Sequence, residues 1–194
     1  VMSRFIRAKN ATLKRLFLGR PNDSLEGRFM AVPSGIDQGV LLGFFVIFAR
    51  FELALKNAGF YCRPQQKPEG HPPDAKPDWD KFALSLRPIF KPQANDTLKE
   101  SYEYLISNPP WRQVVINGAL MWSADYAPST CSVAEHLLLL IRGLRNNLFH
   151  GVSFSTVQGY DAETTKNLLR ASIVVLTECL RLSPGVRVAF EEIS

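Results

Sequence analysis

Four polar side chains that can act together on a phosphate occur close together near position 145. The segment Leu140–Gly151 reads LIRGLRNNLFHG and supplies Arg142, Arg145, Asn146 and His150. Histidine exchanges protons near neutral pH, and the arginine fork fits phosphate oxygens. Such groups lower the barrier when an RNA 2′-hydroxyl attacks the adjacent phosphate. The residue types therefore favour cleavage of RNA without a metal ion, with an amide holding the histidine or the phosphate in position.

A helix over this segment would bring the polar groups to one side. At about 100° per residue, the apolar side chains share one face: Leu137, Ile141, Leu144 and Leu148. The polar side chains share the opposite face: Arg142, Arg145, Asn146 and His150. Gly151 can adopt a positive φ and end the helix directly after the histidine. The candidate catalytic residues are therefore Arg145, Asn146 and His150, and an Arg or His at a helix end equally fits a structural role beside the helix dipole.

Further residues are candidates for substrate binding: Arg142, Asn147, Phe149 and Glu52. Arg142 is either a second phosphate contact or an ordinary surface residue. Phe149 either stacks on a base or packs at a dimer contact. Glu52 either fixes the guanidinium of Arg145 or Arg142, or pairs with Lys56 one helical turn away.

The remaining sequence reads as mostly helical. Helices are predicted over about 37–58, after Asp78 with Trp79 in the core, from a Thr97–Glu100 capping box to Pro109, and from Ser129 or Ser132 to His150. A last helix is predicted over 162–182, with Asp161 as its N-cap and Pro184 after its end. The first helix carries an apolar stripe at helical spacing: Phe44, Phe48, Phe51 and Leu55. Five prolines in 61–77 exclude a helix and predict an exposed loop. The segment WRQVVINGALMW (111–122) is either a short Asn-Gly hairpin or irregular.

Basic charge is concentrated at the beginning of the chain. The first 20 residues hold six Lys and Arg and no acidic residue, whereas the rest holds 17 basic and 18 acidic residues. Such an arm favours a polyanion or an acidic partner, and it equally fits a solvated helix face. We divide the chain into a basic N-terminal helix and connection (1–36), a helical domain (37–183) and a C-terminal tail (184–194).

Composition narrows the class of protein. The chain has 194 residues, 46% of them hydrophobic, which suits one soluble domain with an added segment. Three scattered cysteines and three scattered histidines predict no disulfide framework, no metal site and a reducing, cytoplasmic location. The apolar run VLLGFFVIFA (40–49) is about half the roughly 20 residues of a bilayer span, so we expect a core helix. Residues 1–20 are not expected to be a signal peptide, and no cofactor is predicted.

The segment RNNLFHG resembles the signature of the HEPN superfamily, the higher eukaryotes and prokaryotes nucleotide-binding domains. In that signature an Arg precedes a polar residue, and a His follows four to six residues after the Arg; Arg145, Asn146 and His150 match it position by position. FARFELALKNAGF (48–60) is similar to the first long helix of bacterial members, and PDWDKFA and NPPW to the segments between. The resemblance covers about residues 37–182.

This resemblance implies an all-α, up-down bundle of four to six helices. It also implies a homodimer whose two motifs face each other, and metal-independent endoribonuclease activity in toxins or in defence against phage and plasmids. An antitoxin or defence partner would fit that role. Many members only bind nucleotide, RNA or protein, so a non-catalytic module is the alternative. A structural helical dimer, in which the Arg and His side chains cap helix ends, is the third reading.

Overall fold

Helices dominate residues 36–62, 74–124, 131–149 and 161–192, which are the residues that the computed structural model describes. Within these ranges it contains six helices and one hairpin: α1 (Gln38–Asn57), α2 (Trp79–Leu86), α3 (Asp96–Ser107), β1 (Arg112–Ile116), β2 (Ala119–Ser123), α4 (Val133–Phe149), α5 (Ala162–Leu182) and α6 (Pro184–Glu191). The predicted helical class is confirmed. The basic segment 1–20, the connection that follows it, most of the proline-rich loop with His71, and His150 lie outside the described residues.

Local capping sets the bounds of α1. The Asp37 carboxylate accepts hydrogen bonds from the backbone N–H groups of Gly39 and Val40, which satisfies donors that have no partner inside the helix. Gly59 follows the last turn with φ 85°, a conformation that glycine adopts without steric cost. Both ends agree with the predicted helix over about 37–58.

The capping box lies at a different helix from the one predicted. α3 begins after Asn95, whose side chain accepts from the N–H of Leu98 at 2.8 Å, so the expected Thr97–Glu100 box is wrong. The reciprocal pair occurs at the start of α4. There the N–H of Ser132 donates to Glu135 at 2.8 Å, and the N–H of Glu135 donates to the Ser132 hydroxyl at 3.3 Å. Both segments contain a Ser or Thr followed three residues later by Glu. The residue at which each helix begins decides whether that pair forms the capping box.

The core forms where α1 meets the C-terminal helices. The predicted apolar stripe of α1 is buried: Phe44, Phe48, Phe51 and Leu55. α1 packs on α5 and α6, α3 packs on α5, and α2 packs on α4. The arrangement leaves the α2–α4 face on one side of the core, and this face carries the polar residues considered below.

The opposite face of α1 is apolar and exposed. Leu42, Val46 and Leu53 have 65%, 47% and 40% of their surface accessible. By length and composition alone, α1 is long and apolar enough to cross a membrane, and 28% of its most apolar window is buried. The apolar stretch is therefore longer than the ten-residue run suggested, because the sparse charges Arg50, Glu52 and Lys56 do not interrupt it. Its buried aromatic face contacts Trp79 and Phe82 of α2, which is also typical of a core helix.

Residues 184–194, expected to be a tail, begin with a helix that belongs to the packed unit. The Arg50 guanidinium donates to the Phe190 carbonyl at 2.9 Å and lies 4.4 Å from the centre of the Phe190 ring. Val186 is fully buried. Pro184 follows the end of α5, as predicted, and also begins α6, because proline is favoured in the first turn of a helix.

The 111–122 segment forms the hairpin rather than an irregular stretch. β1 and β2 are antiparallel, with Ile116 opposite Ala119. The two turn residues, Asn117 and Gly118, have φ values of 52° and 79°. Asn-Gly is the preferred pair for a tight turn that needs positive φ at both positions.

Substitution of Asp161 is expected to destabilise the protein in a pH-dependent way. Its carboxylate caps α5 by accepting from the N–H of Thr164 at 2.7 Å, and that bond lowers the pKa of Asp161 in the folded state. A lowered folded pKa adds stability that is complete above the unfolded pKa, about 3.9, and is lost as the pH falls through the folded value. Thermal unfolding should therefore show a gap between wild type and Asp161→Ala that closes below about pH 4.

Asn95→Ala, at the cap of α3, is the matched control for this experiment. It should cost about 1 kcal/mol with no closing of the gap over the same pH range, because an amide does not titrate. A gap at Asp161→Ala that is independent of pH would contradict the assigned capping role of the carboxylate.

Candidate functional site

The face of α4 that carries the signature is arranged as the helical projection predicts. Leu137, Ile141 and Leu144 are fully buried, and Leu148 is half-buried. Arg142 and Arg145 are half-buried on another side, and Asn146 is exposed. A helix whose apolar stripe is fixed in the core holds its polar residues at defined positions on the surface. Arg142, Arg145 and Asn146 therefore start from a helical backbone that the core holds in place.

Arg145 forms an ion pair with Glu52 of α1. Its Nη2 lies 3.4 Å from Oε2 of Glu52, and the two side chains are 32% and 27% exposed. The other carboxylate oxygen of Glu52 accepts from the indole N–H of Trp79 at 3.3 Å. Of the two roles considered for Glu52, the structure shows fixation of Arg145, and Trp79 holds the carboxylate from the other side.

Two phenylalanine rings flank the Arg145 guanidinium. Its central carbon lies 5.2 Å from the Phe48 ring centre and 4.8 Å from the Phe149 ring centre. Phe149 also meets Phe45 edge to face at 4.9 Å. Contacts between a cation and aromatic faces favour one orientation of the guanidinium. We call Glu52, Arg145 and the two flanking rings the Arg145 cluster.

The guanidinium retains donors for a ligand. An arginine has five N–H donors, and the described residues accept from two of its nitrogens: Asn146 Oδ1 from Nη1 at 3.1 Å and Glu52 from Nη2 at 3.4 Å. The Nε of Arg145 is buried and has no partner among the described residues. The guanidinium of Arg145 is thus held in one orientation and still has N–H groups without an acceptor. Such a group can bind a phosphate through several hydrogen bonds.

A cleft of about 240 Å³ opens beside the Arg145 cluster. It is lined by residues from three places in the chain: Phe48, Glu52, Lys76, Pro77, Trp79, Arg142, Arg145 and Asn146. Lys76 and Pro77 reach it because the ends of the proline-rich loop are joined: Cys62 donates to the Lys76 carbonyl, and Asp78 to that of Phe60, each at 2.9 Å. The cleft is a concave space with basic groups on its wall.

Arg142 lies at the edge of this cleft. Its Nη1 is 3.4 Å from the carboxylate of Asp80, which is 88% exposed. An ion pair with so exposed a partner contributes little stability, and the carboxylate is free to move away. Arg142 is therefore a second cation on the wall of the same cleft as Arg145. This position fits the first of its two predicted roles, a second contact to phosphate.

Asn147 is not placed for direct substrate binding. It is 7% exposed, and its side-chain amide donates to the carbonyl of Trp111. The hydrogen bond links α4 to the residue before β1, so the structure gives Asn147 a structural part. In the helical projection Asn147 falls between the polar and the apolar face, and its residue type alone does not show to which of the two faces it belongs.

Phe149 occupies the open side of the Arg145 cluster. It is 63% exposed while one face contacts the guanidinium. Both roles considered for it, base stacking and a dimer contact, remain compatible with this position. His150 follows directly in the chain but lies outside the described residues, so its catalytic role stays a prediction.

Several residues of the cleft were not among the predicted site residues. Trp79 was predicted to be a core residue, which is confirmed by its 4% exposure, yet its N–H also positions Glu52. Phe48 belongs to the core stripe of α1 and nevertheless contacts Arg145. Asp80 and Lys76 carried no distinguishing pattern. The one available signal was Glu52, a carboxylate at the edge of an apolar stripe, where a charged partner is needed.

This arrangement suits an anion of the size of a phosphate. An oriented arginine fork, a nearby amide and a second arginine provide hydrogen-bond donors on one wall. Among the described residues there is no group of three or more His, Cys, Asp or Glu side chains that could hold a metal ion. Comparison of the chain with family models, curated proteins and solved structures gives no match.

Proposed function

We propose that this protein is a HEPN-type, metal-independent endoribonuclease. The observation that carries the proposal is the Arg145 cluster: a guanidinium oriented by Glu52 and two rings, with unused donors, five residues before His150. The guanidinium also lines the cleft, so its remaining N–H donors lie where a phosphate can bind. The signature resemblance and the cleft support the same function.

The reaction follows from the chemistry of the side chains. A base removes the proton of the 2′-hydroxyl, whose oxygen attacks the adjacent phosphorus as the bond from phosphorus to the 5′-oxygen breaks. An acid returns a proton to that oxygen, so the products carry a 2′,3′-cyclic phosphate and a 5′-hydroxyl. His150 serves as proton acceptor or donor. Arg145 stabilises the negative charge of the phosphorane. Asn146, which accepts a hydrogen bond from Arg145, positions the phosphate.

A homodimer completes the site in this proposal. One histidine per chain cannot act as base and acid in the same step, whereas two motifs that face each other supply both groups. Phe149 and the exposed apolar residues of α1 provide surface for association. We place the protein in the cytoplasm, in a toxin or in phage or plasmid defence, where an antitoxin or defence partner would control it.

The direct test is cleavage of end-labelled RNA by the full chain in EDTA. Cleavage in EDTA, with cyclic-phosphate and 5′-hydroxyl ends, is expected. Cutting that requires an added metal, or ends with a 5′-phosphate, would exclude the mechanism. Binding of RNA in a gel shift without cleavage would instead favour the non-catalytic module. The pairing of Arg145 with Glu52 is a specific argument for that alternative, because the carboxylate offsets the positive charge of the arginine.

Glu52 is expected to act as a positioning residue for Arg145. Glu52→Gln removes the charge but keeps an oxygen that can accept from Trp79, so the fold should persist. A misplacement near 1 Å can lower a rate by as much as about 10²-fold, and we expect a loss of kcat approaching that size with KM changed little. Single-turnover cleavage at saturating RNA measures this effect.

Glu103→Gln, at an exposed position of α3, is the matched control and should cleave at the wild-type rate. If Glu52→Gln altered the unfolding temperature but not kcat, the ion pair would be structural and the positioning role would be refuted.

A further inference from the structure

A second cavity adjoins the cleft at the Arg145 cluster. It has a volume of about 320 Å³ and lies between α2 and α4. Trp79 and Arg142 line both spaces, so the two are adjacent. Ligand pockets span roughly 300–1,000 Å³, which places this α2–α4 cavity at the small end of that range.

The α2–α4 cavity combines an apolar floor with a charged rim. The floor is formed by Ala83, Leu138 and Leu139. On the rim, Arg142 pairs with Asp80 at 3.4 Å, and Arg87 pairs with Glu135 at 3.3 Å. Donors and acceptors thus surround an apolar surface. A nucleobase has the matching character, with flat apolar faces and a polar edge.

The spacing of the arginines follows the direction of α4. Arg142 precedes Arg145 by three residues, about 4.5 Å of axial rise, and Glu135 lies a further seven residues back, about 10.5 Å. A strand whose scissile phosphate is held by Arg145 therefore meets Arg142 next and then the α2–α4 cavity.

We propose that the α2–α4 cavity is a subsite for single-stranded RNA, holding the nucleotide that is joined to the cleaved dinucleotide by the next phosphate. The inference rests on the proposed ribonuclease function, since Arg145 sets the position of the scissile phosphate. Arg142 binds the intervening phosphate once it releases the exposed carboxylate of Asp80. The base lies on the apolar floor, with Arg87 and Glu135 at its edge.

The rim carboxylates predict which bases fit. An ionised carboxylate only accepts hydrogen bonds, and it pairs well with exocyclic amino groups such as that of cytosine. Hydrogen bonds from Ser132 hold the pKa of Glu135 below its usual range, so this acceptor stays ionised near neutral pH. Adenine and cytosine carry the amino group and uracil does not. The subsite therefore favours adenylate or cytidylate over uridylate.

Cysteine alkylation provides a readout that does not depend on cleavage. Cys131 lines the α2–α4 cavity, whereas Cys62 is exposed and Cys179 is buried. Burial and the charge of Glu135 raise the pKa of the Cys131 thiol, so the reaction with iodoacetamide is run at a fixed alkaline pH. A nucleotide in the cavity shields Cys131, and Cys62 serves as the internal control.

The probes are fluorescein-labelled tetraadenylate and tetrauridylate with 2′-O-methyl groups, which cannot be cleaved. We expect saturating tetraadenylate to slow alkylation of Cys131 in the full chain about tenfold or more, while the Cys62 rate stays constant. Tetrauridylate should protect less. Arg87→Gln should abolish the protection and the preference for adenylate, and Arg170→Gln, at an exposed position of α5, should retain both.

Two results would overturn the subsite, and they separate it from the ribonuclease proposal. Tetraadenylate that binds by fluorescence anisotropy but leaves the Cys131 rate unchanged would refute the subsite alone, with RNA cleavage in EDTA still supporting the enzyme. Absence of binding together with absence of cleavage would refute both.

Discussion

Arg145→Ala is expected to lower kcat for RNA cleavage by about 10²–10³-fold, the usual loss when one preorganised donor to a transition-state anion is removed. The substitution deletes the only side chain that Glu52, Asn146 and the two flanking rings jointly orient among the described residues. Because the guanidinium binds charge that develops in the transition state, kcat should fall more than KM rises. Single-turnover cleavage of end-labelled RNA in EDTA measures it.

Arg145→Lys separates charge from geometry. Lysine keeps the positive charge but cannot present a planar fork, so it should recover only part of the lost rate. Arg170→Ala, on the exposed face of α5, is the matched control and should cleave like wild type. A folded Arg145→Ala protein that cleaves at the wild-type rate would refute the phosphate-clamp role.

His150→Ala belongs to the same series. Loss of a general acid or base costs about 10²–10⁴-fold. If Arg145→Ala abolished cleavage and His150→Ala did not, another proton carrier would have to replace the histidine in the mechanism.

Leu55→Ala is expected to destabilise the protein by about 2–5 kcal/mol, the range for leucine truncation in a close-packed core. Leu55 is fully buried on the same side of α1 as Phe44, Phe48 and Phe51. The truncation removes apolar contact and leaves a cavity that rigid neighbouring helices fill only in part. Urea unfolding followed by circular dichroism measures the free energy of unfolding.

Leu42→Ala makes the same chemical change on the opposite face of the same helix. Leu42 is 65% exposed, so its truncation should change stability by less than about 0.5 kcal/mol. Comparable losses at both positions would show that the exposed face of α1 is covered in solution, and Leu42→Ala would then also make the unfolding midpoint depend on protein concentration.

The sequence by itself determined the local structure of this protein. Periodic apolar residues predicted the core face of α1 and of α4, because a 3.6-residue repeat places such residues on one side. Asp161 predicted the start of α5, because a carboxylate there satisfies free N–H donors. Asn117-Gly118 was consistent with the hairpin. Each inference concerns residues a few positions apart, where backbone geometry alone dictates proximity.

The composition of the cleft was decided by tertiary structure. Glu52 and Arg145 are 93 positions apart, and the sequence supported a local pair of Glu52 with Lys56 equally well. Packing of α1, α2 and α4 brought Trp79 against the Glu52 carboxylate and selected the long-range pair. Packing also removed a predicted ligand contact, because the side chain of Asn147 donates to the Trp111 carbonyl instead. α6 likewise joins the core through tertiary contacts: Val186 is buried, and Arg50 of α1 donates to the Phe190 carbonyl.

The difference between what the sequence predicts and what the tertiary structure decides has one physical cause. Helix periodicity, capping and turn chemistry are set by the covalent chain within a few residues, so the sequence contains them directly. Which charged group meets which partner depends on how helices pack, and packing is determined by the summed fit of many distant apolar side chains. The polar face of α4 could therefore be predicted from the sequence, whereas Glu52, the two flanking rings and the adjoining α2–α4 cavity were revealed only by the tertiary structure.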